Sequence, residues 1–200
     1  MATAAARRSP AINRRTDRGR QVSQSDAASR APERAPHGPI LVGIGGNLPS
    51  RLGPTRTTLE AALSILDAAG ARVIRRSRWY RSAPVPPSDQ PWYLNAVAAL
   101  ETALDPPGLL ALLHDVEARL ERVRSVPNAA RTADLDLLAY GDLVRTGTAP
   151  LLPHPRLAQR AFVLLPLAEV APGWRHPGSG AGVAELIAAL PAGQRAEPVG

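Results

Sequence analysis

Hydrophobic residues recur with the periods of strands and helices only from residue 39 onward. The β-branched run at 40–45 ends in glycine and predicts a first strand. Leucine and alanine at helical spacing between Pro54 and Gly70 predict an amphipathic helix. The same reasoning predicts strands at 71–80, 93–102 and 133–140 with a hairpin partner at 143–145, a helix from 106 to 120, short helices at 158–169 and 181–190, and loops at 82–91 and 122–131.

This order of elements predicts an α+β sandwich, in which both long helices cover one face of a mostly antiparallel sheet. The opposite face of such a sheet is free and can hold a site. We assign one folded domain to residues 39–193 and a flexible C-terminus to residues 194–200. The chain shows no internal repeat and no second domain.

Residues 1–38 are rich in arginine, alanine, serine and proline and lack any hydrophobic period, so we predict a disordered extension. They hold eight arginines and three acidic residues, which places +5 of the chain's net charge of +7 there. The high isoelectric point therefore says little about the folded part. We interpret the segment as a solvated extension or a misassigned start, with an RNA-binding arm or a transit peptide as alternatives.

Composition excludes several classes of protein. The chain has no cysteine, which removes disulfides, thiolate metal sites and cysteine nucleophiles. All 24 basic residues are arginine, which removes a lysine-containing phosphate loop and Schiff-base chemistry. No stretch approaches the roughly 20 apolar residues that cross a bilayer, and no apolar signal core is present, so we expect a cytoplasmic protein without membrane contacts.

Two acids on the strand at 133–140 carry the strongest chemical signal. Side chains alternate along a strand, so Asp134 and Asp136 share one face while Leu135 and Leu137 point to the core. Mg²⁺ prefers hard oxygen ligands and often takes one or two carboxylates together with substrate phosphates. The pair can hold two magnesium ions. The alternative is an ordinary solvent-facing pair of acids.

Arginines cluster in sequence around these acids. Guanidinium groups bind phosphate oxygens through paired hydrogen bonds, and carboxylates on metals beside several arginines are typical of phosphoryl transfer. Arg119 and Arg156 are expected in salt bridges outside the pocket. His154 either donates to a phosphate or bonds the backbone of a rigid turn. The candidate phosphate ligands are Arg122, Arg124, Arg131 and Arg160.

Two uncharged candidate binding residues lie on the predicted strand at 93–102. Tyr93 and Asn95 share a face by the same alternation, and asparagine can read the edge of an amide-like heterocycle while an aromatic ring stacks on it. Phe162 is a second candidate for stacking. Ordinary packing is the alternative for both aromatic residues.

Taken together, these residues resemble the 6-hydroxymethyl-7,8-dihydropterin pyrophosphokinase family. The resemblance covers about residues 40–176 and implies a ferredoxin-like fold. The matching segments are Ile44-Gly-Gly-Asn-Leu48, Tyr80-Arg-Ser-Ala-Pro84, Asp89-Gln-Pro-Trp-Tyr-Leu-Asn-Ala96, Arg122-Val-Arg124, Arg131-Thr-Ala-Asp-Leu-Asp-Leu-Leu138, Pro153-His-Pro-Arg156 and Arg160-Ala-Phe-Val-Leu164.

The resemblance implies transfer of pyrophosphate from Mg²⁺-ATP to the hydroxymethyl group of a reduced pterin, with release of AMP, in folate biosynthesis. Asp134 and Asp136 match the magnesium ligands, and Arg122 and Arg131 match the arginines most tied to catalysis. The nucleotide contacts implied are Glu117, Arg124, His154 and Arg160. The pterin contacts implied are Ser82, Val85, Tyr93, Asn95 and Phe162, with the ring between the two aromatics.

The chain departs from the family pattern mainly in the loop before Arg131. The family usually has Trp and then Gly-Pro there, whereas this chain has Pro-Asn-Ala-Ala at 127–130 in a loop about one residue shorter. Glu121 replaces a small residue, Gly46 replaces a common serine, and Ser82 and Ala83 are milder changes. Since this loop closes over the substrates in the family, we predict reduced lid ordering with the site retained.

Two other functions stay open from the sequence. A paralogue of the family would bind ATP or a modified pterin without the usual transfer. A nucleic-acid-binding ferredoxin-like module would use outward aromatic residues on the central strands, but only Tyr93 is offered there. We expect ATP and a reduced pterin as partners, no nucleic acid, a monomer, and association with neighbouring folate-pathway enzymes as a possibility.

Overall fold

The computed structural model describes Met1, residues 37–123 and residues 129–199. Within these residues the folded unit consists of strands and helices whose bounds are β1 Ile40–Gly46, α1 Thr55–Ala68, β2 Arg72–Arg76, β3 Trp79–Ser82, β4 Tyr93–Glu101, α2 Pro106–Arg119, β5 Asp134–Tyr140, a 3₁₀ helix Leu157–Gln159, α3 Ala161–Val170, α4 Val183–Ala188 and β6 Ala196–Val199. The predicted extension at 1–38 lies almost entirely outside the described residues, so it stays a prediction.

The sheet is antiparallel throughout the described residues. Its strands run in the order β5, β1, β4, β3, β6, and β2 also pairs with β4. The central pairs place Gly45 between Asn95 on β4 and Asp134 on β5. The two groups of residues that the sequence singled out thus lie on opposite sides of one central strand.

The predicted strand at 71–80 is two strands, β2 and β3, whose registers against β4 differ by one residue across Ser77 and Arg78. Between them, the Ser77 backbone N–H donates to the Val97 carbonyl at 2.9 Å, and its hydroxyl accepts from the Val97 N–H at 3.1 Å. The break separates the arginine-rich β2 from β3, whose last residue, Ser82, is buried.

Two further differences lie at turns and ends. The predicted hairpin partner at 143–145 is not a strand, since Arg145 forms only an isolated bridge with Leu152. Residues 196–199, inside the segment predicted to be flexible, form β6 along β3. Its sequence has no clear alternation, so only the free edge of β3 identifies it as a strand.

The prediction that both long helices cover one face is confirmed. Leu59 and Leu66 of α1 and Leu109 and Leu113 of α2 are fully buried against that face. Burial of this apolar surface is the main stabilising term. The helix α2 begins with a cap in which Asp105 accepts from the Gly108 N–H at 2.9 Å, with prolines in the first turn.

The prediction that the opposite face is free is wrong in part. Leu164 and Leu167 of α3 pack there with Leu41, Val97 and other buried residues, and α4 joins the same cluster. The part of this face around Gly45 is left open and lines a cavity. Among the described residues, no helix is both long enough and apolar enough to span a bilayer.

Candidate functional site

A cavity of about 540 Å³ opens over the uncovered part of this sheet face. Strands β1, β3, β4 and β5, the proline-rich loop after β3, and the start of α3 contribute to its walls. Its lining includes ten of the predicted site residues: Ser82, Val85, Tyr93, Asn95, Arg122, Arg131, Asp134, Asp136, Arg160 and Phe162. Arg124 lies outside the described residues, together with the rest of the segment 124–128. The predicted reduction in lid ordering concerns this loop and stays a prediction.

Asp134 and Asp136 both line this cavity, as the alternation of β5 predicts. Their partners on β1 are Gly45 and Gly43, whose lack of side chains leaves the sheet surface beside the carboxylates clear. The side chains are 26% and 37% exposed, so both carboxylates are accessible to a ligand.

Three arginines surround these acids. Arg122 donates to Asp134 Oδ1 and to Glu117, and Arg131 Nη1 donates to Asp134 Oδ2 at 2.7 Å. Arg160 Nη1 lies 3.6 Å from Asp136 Oδ2. In each case the guanidinium is mostly buried, which keeps the charges concentrated at one end of the cavity.

The pKa values follow from this crowding. Burial acts to lower the pKa of Arg131, but Asp134 and neighbouring groups outweigh it and raise that pKa. Burial and the nearby Arg156 charge lower the pKa of Arg160, although Asp136 opposes them. The contact of Arg160 with Asp136, at 3.6 Å, is longer than that of Arg131 with Asp134, at 2.7 Å.

Two predicted nucleotide contacts lie behind the wall of the cavity. Glu117 is 2% exposed, accepts from the Leu135 N–H at 2.7 Å and binds Arg122, so it anchors that arginine to β5. His154 does not line the cavity, and its Nδ1 accepts from the Arg156 N–H at 3.1 Å within a turn. Burial lowers the pKa of His154, which favours a neutral ring. Their contact with a nucleotide stays a prediction.

The other end of the cavity is neutral. Asn95 is 6% exposed, and its Nδ2 donates to the Ser82 hydroxyl at 2.9 Å. Its Oδ1 lies so close to β1 that a Cβ at Gly45 would stand 2.8 Å from it. These two neighbours fix the orientation of the amide that points toward the cavity.

Aromatic rings join the two ends. The guanidinium of Arg131 lies 5.7 Å from the centroid of Tyr93, and that of Arg160 lies 5.4 Å from the centroid of Phe162. Both rings line the cavity. A flat heterocycle held between them would therefore lie next to the arginines.

Asn47 lies in one of the segments that match the family, but the sequence pattern predicts no role for it. This side chain is 4% exposed, accepts from the Arg131 N–H at 2.8 Å and donates to the Pro91 carbonyl at 3.1 Å. It thus ties the end of β1 to the segments that carry Arg131 and Tyr93. A polar residue directly after a buried strand was the available signal.

One arginine prediction is confirmed and one is wrong. Arg119 forms an exposed salt bridge with Asp115 at 2.7 Å, as expected. Arg156 lines the cavity, because the turn after His154 directs it toward Arg160. Gln159 and Gln194 also line the cavity and had no signal in the sequence, since glutamine is common on ordinary surfaces.

The donor set at Asp134 and Asp136 fits Mg²⁺. Within residues 37–123 and 129–199, no group of three or more histidines and acids forms a metal cluster. Two accessible carboxylates at the arginine-rich end suit an ion that completes its shell with water and phosphate oxygens. An ionised carboxylate has about four lone-pair sites, so an arginine contact leaves room for a metal.

Comparisons with known proteins agree with this geometry. The family model for 7,8-dihydro-6-hydroxymethylpterin-pyrophosphokinase (HPPK) matches residues 41–172. This chain belongs to that family. Membership makes it an ATP-dependent pyrophosphokinase, a transferase of folate biosynthesis, and confirms the resemblance drawn from the sequence.

Individual relatives give the same result. The 2-amino-4-hydroxy-6-hydroxymethyldihydropteridine pyrophosphokinase of Synechocystis sp. is 42% identical over 152 residues, which cover 76% of this chain and 75% of the relative. The enzyme of the same description from Pseudomonas aeruginosa is 40% identical over 153 residues, covering 76% of this chain and 91% of the relative.

Solved structures support the fold. The wild-type HPPK-DHPS of Plasmodium falciparum with STZ-DHP superposes with a TM-score of 0.60 at 12% identity, over 78% of this chain and 44% of that chain. The chain thus spans less than half of that larger protein. At this identity the likeness shows the fold alone, and it confirms the predicted ferredoxin-like α+β sandwich.

Proposed function

We propose that the cavity transfers pyrophosphate from ATP to the hydroxymethyl oxygen of 6-hydroxymethyl-7,8-dihydropterin. The hydroxymethyl oxygen attacks the β-phosphorus, the bond from that phosphorus to the oxygen shared with the α-phosphate breaks, and AMP leaves with that oxygen. The hydroxyl proton is released as the new bond forms. No covalent enzyme intermediate is needed.

The observation that carries the proposal is the joining of two unlike ends in one cavity. One end holds two carboxylates and three buried guanidinium groups, and the other holds an oriented amide between aromatic rings. A polyphosphate needs the first and a neutral pterin needs the second. Their adjacency would place the hydroxymethyl group beside the phosphate chain.

Positioning and charge neutralisation are the work of the chain's own residues. Phosphoryl transfer needs little covalent chemistry from the protein, so Arg122, Arg131 and Arg160 would bind the phosphate oxygens and offset the charge that spreads over them. Tyr93 and Phe162 would hold the ring, and Asn95 would read its edge. Arg124 would join the nucleotide contacts.

Asp134 and Asp136 would bind magnesium, and we propose two ions. Bound Mg²⁺ would supply Lewis-acid neutralisation of the phosphates and fix their orientation. Before substrate binds, Arg122 and Arg131 hold Asp134 in place through both of its oxygens. The same arginines can then pass to phosphate oxygens when ATP arrives with its metal.

The test is AMP release from Mg²⁺-ATP with the reduced hydroxymethylpterin. Asp134→Asn and Asp136→Asn should each lower activity about a hundredfold or more, of order 3 kcal/mol of transition-state stabilisation. Asp115→Asn, which removes only an exposed salt bridge, is the matched control and should leave activity unchanged. An inactive parent that still binds both ligands would favour the paralogue and contradict the proposal.

We further propose a cytoplasmic monomer that can associate with neighbouring folate-pathway enzymes. Fused relatives support the association: the mitochondrial folate synthesis bifunctional protein of Arabidopsis thaliana is 34% identical over 131 residues, which are 23% of its length. Light scattering after size exclusion would test the monomer, and a stable dimer would contradict it.

A further inference from the structure

The first turn of α3 carries two cavity residues but lacks a cap of its own. Arg160 occupies the position before the helix and makes no side-chain bond to it. Its guanidinium is directed instead into the cavity, toward Asp136. The first backbone N–H groups of a helix need acceptors, which serine, threonine, aspartate or asparagine at this position usually supply. An arginine used for binding cannot do so.

Gln194 supplies the missing acceptor from 33 residues away in the chain. Its Oε1 accepts from the Ala161 N–H at 2.9 Å, and its Nε2 donates to the Gln159 carbonyl at 2.7 Å. One amide thereby bonds the backbone on both sides of Arg160. Ala161 in turn lies between Arg160 and Phe162, so both cavity side chains extend from the backbone that Gln194 holds.

The C-terminal segment holds this amide in place. Gly193 has a φ of +86°, a conformation that favours glycine, and it turns the chain just before Gln194. Residues 196–199 then pair with β3 from Trp79 to Ser82. The Arg195 carbonyl also accepts from the Ala83 N–H at 3.4 Å. Gln194 is thus tied to the strand that ends in Ser82, on the neutral side of the cavity.

We propose that Gln194 is a positioning residue, which sets the placement of Arg160 and Phe162 from the C-terminal end of the sheet. The functional part of this inference rests on the proposed function, since Arg160 would contact phosphate and Phe162 the pterin. Loss of the amide would leave the Ala161 N–H and the Gln159 carbonyl to water. The first turn would then lose its fixed geometry, and small misplacements of binding groups have large kinetic costs.

The experiment compares Gln194→Leu, Gln194→Glu and Glu197→Gln. Leucine keeps similar bulk without hydrogen bonds, and glutamate keeps the acceptor for Ala161 but loses the donor to Gln159. Glu197→Gln weakens an exposed ion pair between β6 and Arg81 of β3 and is the control. The readouts are the KM and kcat for each substrate, and exchange of the Ala161 amide hydrogen by NMR in the protein without substrates.

We expect Gln194→Leu to speed Ala161 exchange about tenfold and to raise the KM for the pterin about fivefold to tenfold. Glutamate should restore slow exchange and most of the pterin KM. The KM for ATP should rise in Gln194→Glu for a separate reason, because the new carboxylate would repel the phosphates directly. The control should match the parent in both readouts.

Two results would overturn the proposal. If Gln194→Leu raised the pterin KM with unchanged Ala161 exchange, Gln194 would act on the substrate directly. If exchange sped up with kinetics within about twofold of the parent, the bond would be structural only. The exchange measurement needs no substrate. A parent without pyrophosphokinase activity would therefore contradict the proposed function, while the hydrogen bond of Gln194 to Ala161 could still be tested.

Discussion

The two ends of the cavity are built on different principles. At the charged end, Asp134 and Asp136 are paired with arginines. A metal ion can take the place of an arginine at the acid, and a phosphate can take the place of the acid at the arginine. At the neutral end, the amide of Asn95 is held by uncharged neighbours, the Ser82 hydroxyl and the backbone of Gly45. The charged end can exchange partners on binding, whereas the neutral end is formed in advance.

In the proposed function, the difference follows from the chemistry of the two ligands. A polyphosphate with magnesium carries several charges, and a site for it must keep its own charges compensated while empty, since an unpaired buried charge is costly. A neutral pterin offers no charge, so discrimination depends on fixed hydrogen-bond geometry. Substitutions should therefore affect turnover at one end and pterin affinity at the other.

The largest effect is expected at the charged end. Arg131→Ala removes a guanidinium that, in the proposed function, offsets the developing charge, and loss of one such group costs about 100- to 1,000-fold in kcat. The backbone of Arg131 is held independently by Asn47, so the fold should persist. Steady-state kinetics with Arg119→Ala as the control test this. A loss confined to the KM for the pterin would contradict the division between the ends.

Gly45→Ala should displace the Asn95 amide at the neutral end of the cavity. The new Cβ would stand 2.8 Å from Asn95 Oδ1, closer than real Cβ contacts allow, so the amide must move. We expect the KM for the pterin to rise about tenfold, of order 1.4 kcal/mol, with a smaller change in the KM for ATP.

Isothermal titration with the pterin checks this result directly. Gly173→Ala is the matched control, because a Cβ at Gly173 would meet no atom within 4 Å. Equal losses for pterin and ATP would show that Gly45 supports the whole cavity and not one end of it.

A smaller effect is expected from Ser82. Ser82→Ala removes the acceptor of the Asn95 amide, at a cost of about 1 kcal/mol, or threefold to tenfold in the KM for the pterin. Ser82→Thr keeps the hydroxyl and should behave like the parent in the same kinetic assay. If alanine and threonine were indistinguishable, the hydrogen bond would not orient Asn95.

The smallest effect on catalysis is expected from the scaffold behind both ends, where the prediction concerns the stability of the fold. Glu169 of α3 accepts from the backbone and guanidinium of Arg78 and from the Tyr80 hydroxyl at 2.6 Å. Burial raises the pKa of Glu169, but these hydrogen bonds outweigh it and lower that pKa to about 2. The bonds join α3, which carries Phe162, to β3, which carries Ser82.

A carboxyl group whose pKa is lower in the folded state stabilises the fold above its unfolded pKa, and the gain is lost as pH falls toward the folded pKa. Glu169 should therefore contribute about 1–2 kcal/mol near neutral pH, after allowance for solvent screening, and lose it progressively from about pH 4.5 toward pH 2. Thermal unfolding of the parent and Glu169→Gln between pH 3 and pH 7 measures this. Parallel pH profiles would contradict it.

The sequence by itself determined the elements that depend on local rules. Alternation along a strand is strictly local, so it placed Asp134 and Asp136 together in the cavity, and likewise Tyr93 and Asn95. Helical spacing found α1 and α2 and their buried faces in the same way. The motifs were dense enough around these residues to indicate the family.

Only the tertiary structure decided what depends on distant pairing. It divided the strand at 71–80 around Ser77, placed β6 on the edge of β3, and covered part of the face that was predicted to be free. It places Arg156 and Gln194 in the lining of the cavity. Glu117, which was predicted to contact the nucleotide, lies behind the cavity wall and binds the Leu135 N–H. These features depend on contacts between separate segments of the chain. A local sequence pattern reports only on neighbouring residues, so it cannot show which distant segment will pack against it.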